Sequence, residues 1–134
     1  LALMALTLSI VVFAAGCTSV TNDTMTAQEF LDKNESENLY LSSDETVYKV
    51  KGIVTVNRLE NEDDHSNIIQ LDNILPFIYY TDTIPEYEET PWVQPIPTLV
   101  DAQDGDKVIL HVYIPTDEDG YTTGIWTIKD WETA

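Results

Sequence analysis

Tyr48–Val56 reads YKVKGIVTV, and Gly105–Ile114 reads GDKVILHVYI. Both alternate with a period of two, the spacing that buries one face of a sheet and leaves the other to water. In the first stretch Tyr48, Val50, Val54 and Val56 share one row, with Lys49, Lys51 and Thr55 opposite. Gly52 stands on the apolar row, where a missing side chain allows a bulge or a sharp bend. In the second stretch Val108, Leu110, Val112 and Ile114 form the inward row and His111 lies on the outer one. Two half-buried strands are therefore the frame on which the rest is placed.

Outward from them, Ile68–Asp72 and Phe77–Thr81 read as short strands with Pro76 marking the boundary, and Thr123–Trp131 as the last strand. Arg58–Asn67 (RLENEDDHSN) reads as an acidic loop and Asp117–Gly120 as a turn. Thr26–Glu29 (TAQE) matches a capping box, in which the Thr hydroxyl and the Glu carboxylate each satisfy a free backbone N–H. The helix it opens is expected to reach about Lys33, with Phe30 and Leu31 as its packing residues. Asn34–Asp44 is polar and serine-rich, a loop or a second short turn. Ile84–Gln103 holds Pro85, Pro91, Pro95 and Pro97, too many for a long helix. At most Pro97–Ala102 can form a helical turn.

The whole chain of 134 residues suits one domain, and 43% hydrophobic residues are enough for a core. Six lysines and arginines face 24 aspartates and glutamates, a formal net charge of −18. That balance counts against a general nucleic-acid binder and against a polybasic peripheral membrane protein. A single cysteine excludes an intramolecular disulfide and a thiolate-clustered zinc site.

All the charges lie beyond the first segment. Leu1–Ala15 (LALMALTLSIVVFAA) is uncharged and short for a bilayer span, which needs roughly twenty residues. It suits the apolar region of a signal peptide. Ala14-Ala15-Gly16-Cys17 follows, with Thr18-Ser19 after it. This resembles the lipobox of prokaryotic lipoproteins, archaeal or bacterial, although Ala14 stands where leucine is usual. The resemblance implies cleavage after residue 16 and a lipid on Cys17. The expected organisation is a signal peptide over 1–16, a lipidated tether over 17–25, and a domain over 26–134. The protein is then held to the cell membrane through Cys17 and faces the extracytoplasmic side.

Thr26–Lys33 (TAQEFLDK), YKVKGIVTV, Ile68–Asp72 (IIQLD) and GDKVILHVYI occur in an order that resembles the OB-fold. The sequence is similar to small prokaryotic OB-domain proteins, some exported, that carry a nucleic-acid-binding label by fold analogy. The expected fold is thus mainly β, a five-stranded OB-like Greek-key barrel with a short N-terminal helix. A five-stranded sandwich or another small barrel is the alternative.

The same resemblance would lay an oligonucleotide across strands two and three, between loops that here read Glu60–Asp64 and Asp117–Asp119. Those acids would repel phosphates, so nucleic acid is disfavoured despite the fold. Tyr79, Tyr80 and Trp92, in the aromatic and proline segment Tyr79–Pro97, are the candidate ligand-binding residues. Tyr and Trp offer large contact area with a polar tip, though Trp92 could equally plug the barrel end. Asp117-x-Asp119-Gly120 is similar to part of a calcium loop, but Pro115 and Trp126 would occupy its first and twelfth positions. These acids, with Asp101, Asp104 and Asp106, read as solvated turn residues. His65 and His111 are isolated and lack a nucleophile at motif spacing. No catalytic residue, metal or cofactor is expected. The function expected is a lipid-anchored, acidic binding or scaffolding domain of the cell envelope, its partner an envelope protein or a small ligand. The alternatives are an exported OB-domain protein for single-stranded nucleic acid or oligosaccharide and, third, a carboxylate-based hydrolase.

Overall fold

The computed structural model describes residues 20–42, 44–82, 96–117 and 119–134. Cys17 and the apolar segment before it, Trp92, and Pro85, Pro91 and Pro95 lie outside the described residues. Strand β1 (Val20–Thr26) leads into helix α1 (Ala27–Glu37) and a single 3-10 turn at Leu39–Leu41. Strands β2 (Val47–Asn61), β3 (Ser66–Leu71), β4 (Leu75–Tyr80), β5 (Lys107–Tyr113) and β6 (Thr127–Thr133) follow. The protein is mainly β, one six-stranded mixed sheet and one short helix.

The helix begins where the sequence places it. The Glu29 amide donates to Thr26 Oγ1 at 3.1 Å, and the Thr26 amide donates to Glu29 Oε1 at 2.9 Å. That backbone bond from Thr26, reinforced by its side chain, holds the Glu29 carboxyl below its usual range. The helix passes the expected end at Lys33 by a full turn, because Lys33 bonds Glu37 one turn on and Asn38, at φ 51°, supplies the left-handed stop. Residues 20–25, expected as tether, form part of a strand that runs parallel to β2, pairing Thr24 with Lys49 and Met25 with Val50.

Strand β2 is the centre of the sheet. β5 runs along one edge, pairing Tyr48 with Val112, Val50 with Leu110 and Gly52 with Val108. β1 and then β3 share the other edge, β1 as far as Lys51 and β3 from Val54 onward. β3 pairs with β4, β4 touches β6 at Ile78 and Thr127, and β6 returns to β5, so the pairings form a ring. The inward row of Tyr48, Val50, Gly52 and Val54 is as the alternation predicts, facing Val108, Leu110 and Val112, all three fully buried.

Beyond Val54 the alternation fails. Val54 pairs with Leu71 but Val56 with Gln70, so Thr55 is an extra residue in the ladder. Such a bulge reverses which side chains face inward. Val56 therefore leaves the inward row, and Asn57 takes its place beside buried Tyr79. The extra hydroxyl is used: Thr55 Oγ1 donates to the Gln70 carbonyl and accepts from the Asn73 amide.

Other boundaries also shift. The acidic loop shrinks to a hairpin turn over 62–65, because β2 continues to Asn61. Pro76 lies just inside β4 rather than before it, near a strand start where proline is tolerated. No helical turn forms at Pro97–Ala102; the segment is extended, and buried Val100 and Ala102 pack on the core instead. The last strand begins at Thr127, four residues later than the alternation suggests, since Thr116 and Thr122 bridge to hold the preceding loop. The core joins these walls to α1, where Phe30 meets Tyr48, Phe77 and Trp126 edge to face at 4.9–6.0 Å.

Candidate functional site

Three of the six basic side chains come together on the outer face of β2 and β5. The register sets Lys49 against His111, Lys51 against Ile109, and Ile53 against Lys107. Alternate residues of a strand project to the same side, so these six share one face. Lys51 and Lys107 are diagonal neighbours across the pair, a spacing long side chains can cover. Elsewhere Lys33 pairs with Glu37, Arg58 with Glu60, and Lys129 lies 6.0 Å from the Tyr113 ring centre. Among the described residues Lys49, Lys51 and Lys107 form no ion pair, although acids outnumber bases fourfold.

The lysine face has a hollow in it. Thr26, Lys51, Gly52, Ile53, Asp72, Lys107 and Ala134 line a concavity of about 230 Å3. It lies where β1 has left the edge of β2 and β3 has yet to arrive. Asp72 bridges that gap: its Oδ1 accepts from the Ile53 amide at 2.8 Å and its own amide donates to the Ile53 carbonyl at 2.9 Å. Asp72 and Asn73 both have positive φ, 52° and 61°, in the three-residue turn (72–74) between β3 and β4. That mirror-image turn matches the strand twist and aims the Asp72 carboxylate at Gly52. A Cβ on Gly52 would stand 3.0 Å from Asp72 Oδ2 and 3.0 Å from Leu71 Cβ. A side chain here would have to push its neighbours aside by a few tenths of an ångström, so the close approach favours glycine.

A second feature is polar and inside. Asn57 donates through Nδ2 to the carbonyls of Val100 and Ala102 at 2.9 and 2.8 Å, and accepts from the Tyr79 hydroxyl at 2.5 Å. This network straps the extended segment onto the ring. Burial pushes the Tyr79 hydroxyl pKa up, against the opposing pull of the Asn57 bond. Tyr79 is thereby part of the core, and Tyr80 is also buried, its pKa raised by desolvation. The two do not join the lysine face, and Trp92, the third aromatic candidate, falls outside the described residues.

The remaining candidates are turn and surface groups. Asp106 Oδ2 accepts from the Gln103 amide, and Asp117 Oδ1 from the amides of Asp119 and Tyr121. His111 Nε2 lies 2.8 Å from Glu132 Oε2 at the far end of the lysine face. His65 sits in the hairpin turn at φ 56°. Among the described residues no group of three or more His, Cys, Asp or Glu is placed to hold a metal ion, and no helix is long and apolar enough to cross a membrane.

Sequence alternation marks Lys49, Lys51 and Lys107 as outward, but it cannot show that they adjoin. Adjacency depends on which strand β2 pairs with, and the register supplies that. No family model matches the chain, and neither a curated protein nor a solved structure proves significantly similar to it.

Proposed function

We propose that the chain is a lipid-anchored, non-catalytic binding domain of the cell envelope, whose ring is an OB-type Greek-key barrel and whose ligand face is the outer side of β2 and β5. The pairing circuit supports the barrel reading, because β6 inserts between β4 and β5 and β5 returns to β2. The stretch LALMALTLSIVVFAA before Gly16-Cys17 supports the anchor.

The observation that carries the binding role is a trio of lysines on one face with no ion pair among the described residues, two of them lining a hollow, in a chain of charge −18. An oligonucleotide laid on β3 and β4 would meet no cation from either strand, since SNIIQL and LPFIYY contain none.

Cys17→Ser tests both halves of the proposal. The variant should leave the membrane fraction for the soluble one, and a cleaved variant that stays with membranes would defeat the lipid anchor. The released protein is then titrated onto envelopes from cells lacking the gene. Saturable binding that is lost on replacing Lys49, Lys51 and Lys107 with Gln is the expected result. Absence of saturable binding, or binding indifferent to those lysines, would contradict the assigned face.

A further inference from the structure

The hollow at Gly52 brings three chemistries within one small volume. Lys51 and Lys107 line it, and neither forms an ion pair with a described residue, so their ammonium groups are within side-chain reach of a ligand seated there. Asp72 offers a carboxylate fixed at both ends of its residue: its amide and its Oδ1 are committed to Ile53, while Oδ2 lies over Gly52 and bonds no described donor. Ile53, 43% exposed, and Ala134 add short apolar walls, and Thr26 lines the hollow with its hydroxyl oxygen engaged by the Glu29 amide.

Each group restricts the ligand. Two unpaired ammonium groups call for an anion. The Asp72 carboxylate in the same hollow repels a second negative charge, so one isolated carboxylate fits better than a chain of phosphates. An ionised carboxylate only accepts hydrogen bonds, so the part of the ligand nearest Asp72 must donate them. The concavity of about 230 Å3 is smaller than the range of 300–1,000 Å3 usual for drug-sized ligands, which leaves room for one ring. No aromatic side chain among the described residues lines it, so these residues give a nucleobase nothing to stack on.

We infer that this hollow binds a sugar acid, a single hydroxylated ring whose carboxylate is held between Lys51 and Lys107 and whose hydroxyls donate to Asp72. The inference rests on the binding role proposed above and adds the ligand class. A free sugar acid and a uronate residue within an anionic polysaccharide carry the same chemistry, and the experiment separates them.

Glucuronate and galacturonate are titrated into the full chain in detergent micelles, with the backbone amides of Lys51, Gly52, Ile53, Asp72 and Lys107 followed by NMR. Glucose, acetate, an oligogalacturonide and an oligothymidylate form separate arms. Saturable shifts at those five residues with a sugar acid are expected, with glucose and acetate weaker by about tenfold or more, the loss typical of a missing charge-assisted hydrogen bond. Tighter binding of the oligogalacturonide than of the monomer assigns the polymer as source; equal binding per ring assigns the free acid. Replacing Lys51 and Lys107 together with Gln should lose about tenfold or more, and replacing both with Arg should retain binding, which separates lost charge from lost fold. Asp72→Asn, which keeps an oxygen for the Ile53 amide, should narrow the gap between sugar acid and acetate. No saturable shift at millimolar sugar acid, glucose binding as well as glucuronate, or tighter oligothymidylate binding at the same residues would each overturn the inference. Loss of lysine-dependent envelope binding by Cys17→Ser protein would defeat the binding role itself, so the two failures are told apart.

Discussion

The two halves of β2 are one continuous strand with different duties. Val47–Ile53 pairs with β5 from Tyr48 onward, is paired on both edges at Lys49–Lys51, and turns Val50 inward with Lys49 and Lys51 outward. Val54–Asn61 pairs through its ladder with β3, gains a residue at Thr55, buries the polar Asn57 network, and ends among exposed acids. The first half closes the ring by side-chain packing; the second is held by hydrogen bonds and a bulge. The hollow lies at the join, where Asp72 replaces a ladder partner. A strand that changes partners leaves a gap at the change, and the gap is where a ligand can reach backbone-anchored groups.

The comparison breaks most readily in the first half. Leu110→Ala should destabilise by about 2–5 kcal/mol in urea unfolding, because Leu110 is fully buried opposite Val50. A cost under 1 kcal/mol would mean that this half is not the packed seam. At the join, Gly52→Ala should cost about 1–3 kcal/mol, since its Cβ meets Leu71 Cβ at 3.0 Å and a Cβ cannot rotate aside. A neutral result would mean that the two edges of β2 are more loosely joined than the geometry requires.

The second half answers to hydrogen bonding and pH. Tyr79→Phe should cost about 0.5–1.5 kcal/mol by removing the donor to Asn57. The folded-state pKa of Tyr79 is raised, chiefly by burial, so the unfolded chain loses its proton first. Stability from this group is therefore complete below about pH 10, the ordinary tyrosine value, and falls as pH rises from there through the folded pKa. Tyr79→Phe should make the alkaline loss shallower, leaving the parallel contributions of Tyr48, Tyr80 and Tyr113. An unchanged alkaline profile would place the Tyr79 hydroxyl in water.

The smallest effect concerns charge. Screening should raise the melting temperature modestly as NaCl increases, most steeply at low salt, because the Debye length shortens from about 10 Å at 0.1 M to about 3 Å at 1 M. Millimolar CaCl2 should do no more than NaCl at equal ionic strength. A large calcium-specific rise would assign an ion site to the acidic turns.

Much of the fold was legible because alternation is a local signal. The inward rows of Val50 and Val54 and of Val108, Leu110 and Val112 stand where a period of two puts them. The helix start was legible for the same reason, since the capping box spans four residues. Thr55 was not: a bulge is a relation between two strands, and one strand read alone cannot reveal an extra residue. β1 escaped because VTNDTMT shows no two-residue alternation of apolar residues, and its place is set by pairing with β2. Tyr79 and Tyr80 were read as recognition residues on composition, which carries no information on the burial of both rings or on the bond from Tyr79 to Asn57. The lysine face depends on the pairing of β2 with β5, whose partners stand more than fifty residues apart.

The most direct test of the changeover in β2 is a map of cross-strand proton contacts by NMR on the full chain. The account predicts Lys51 near both Thr26 and Ile109, Val54 opposite Leu71, Val56 opposite Gln70, and Thr55 with no partner of its own. An unbroken register that pairs Thr55 with Gln70 and Val56 with Ile69, or the absence of contacts between β2 and β5, would contradict it.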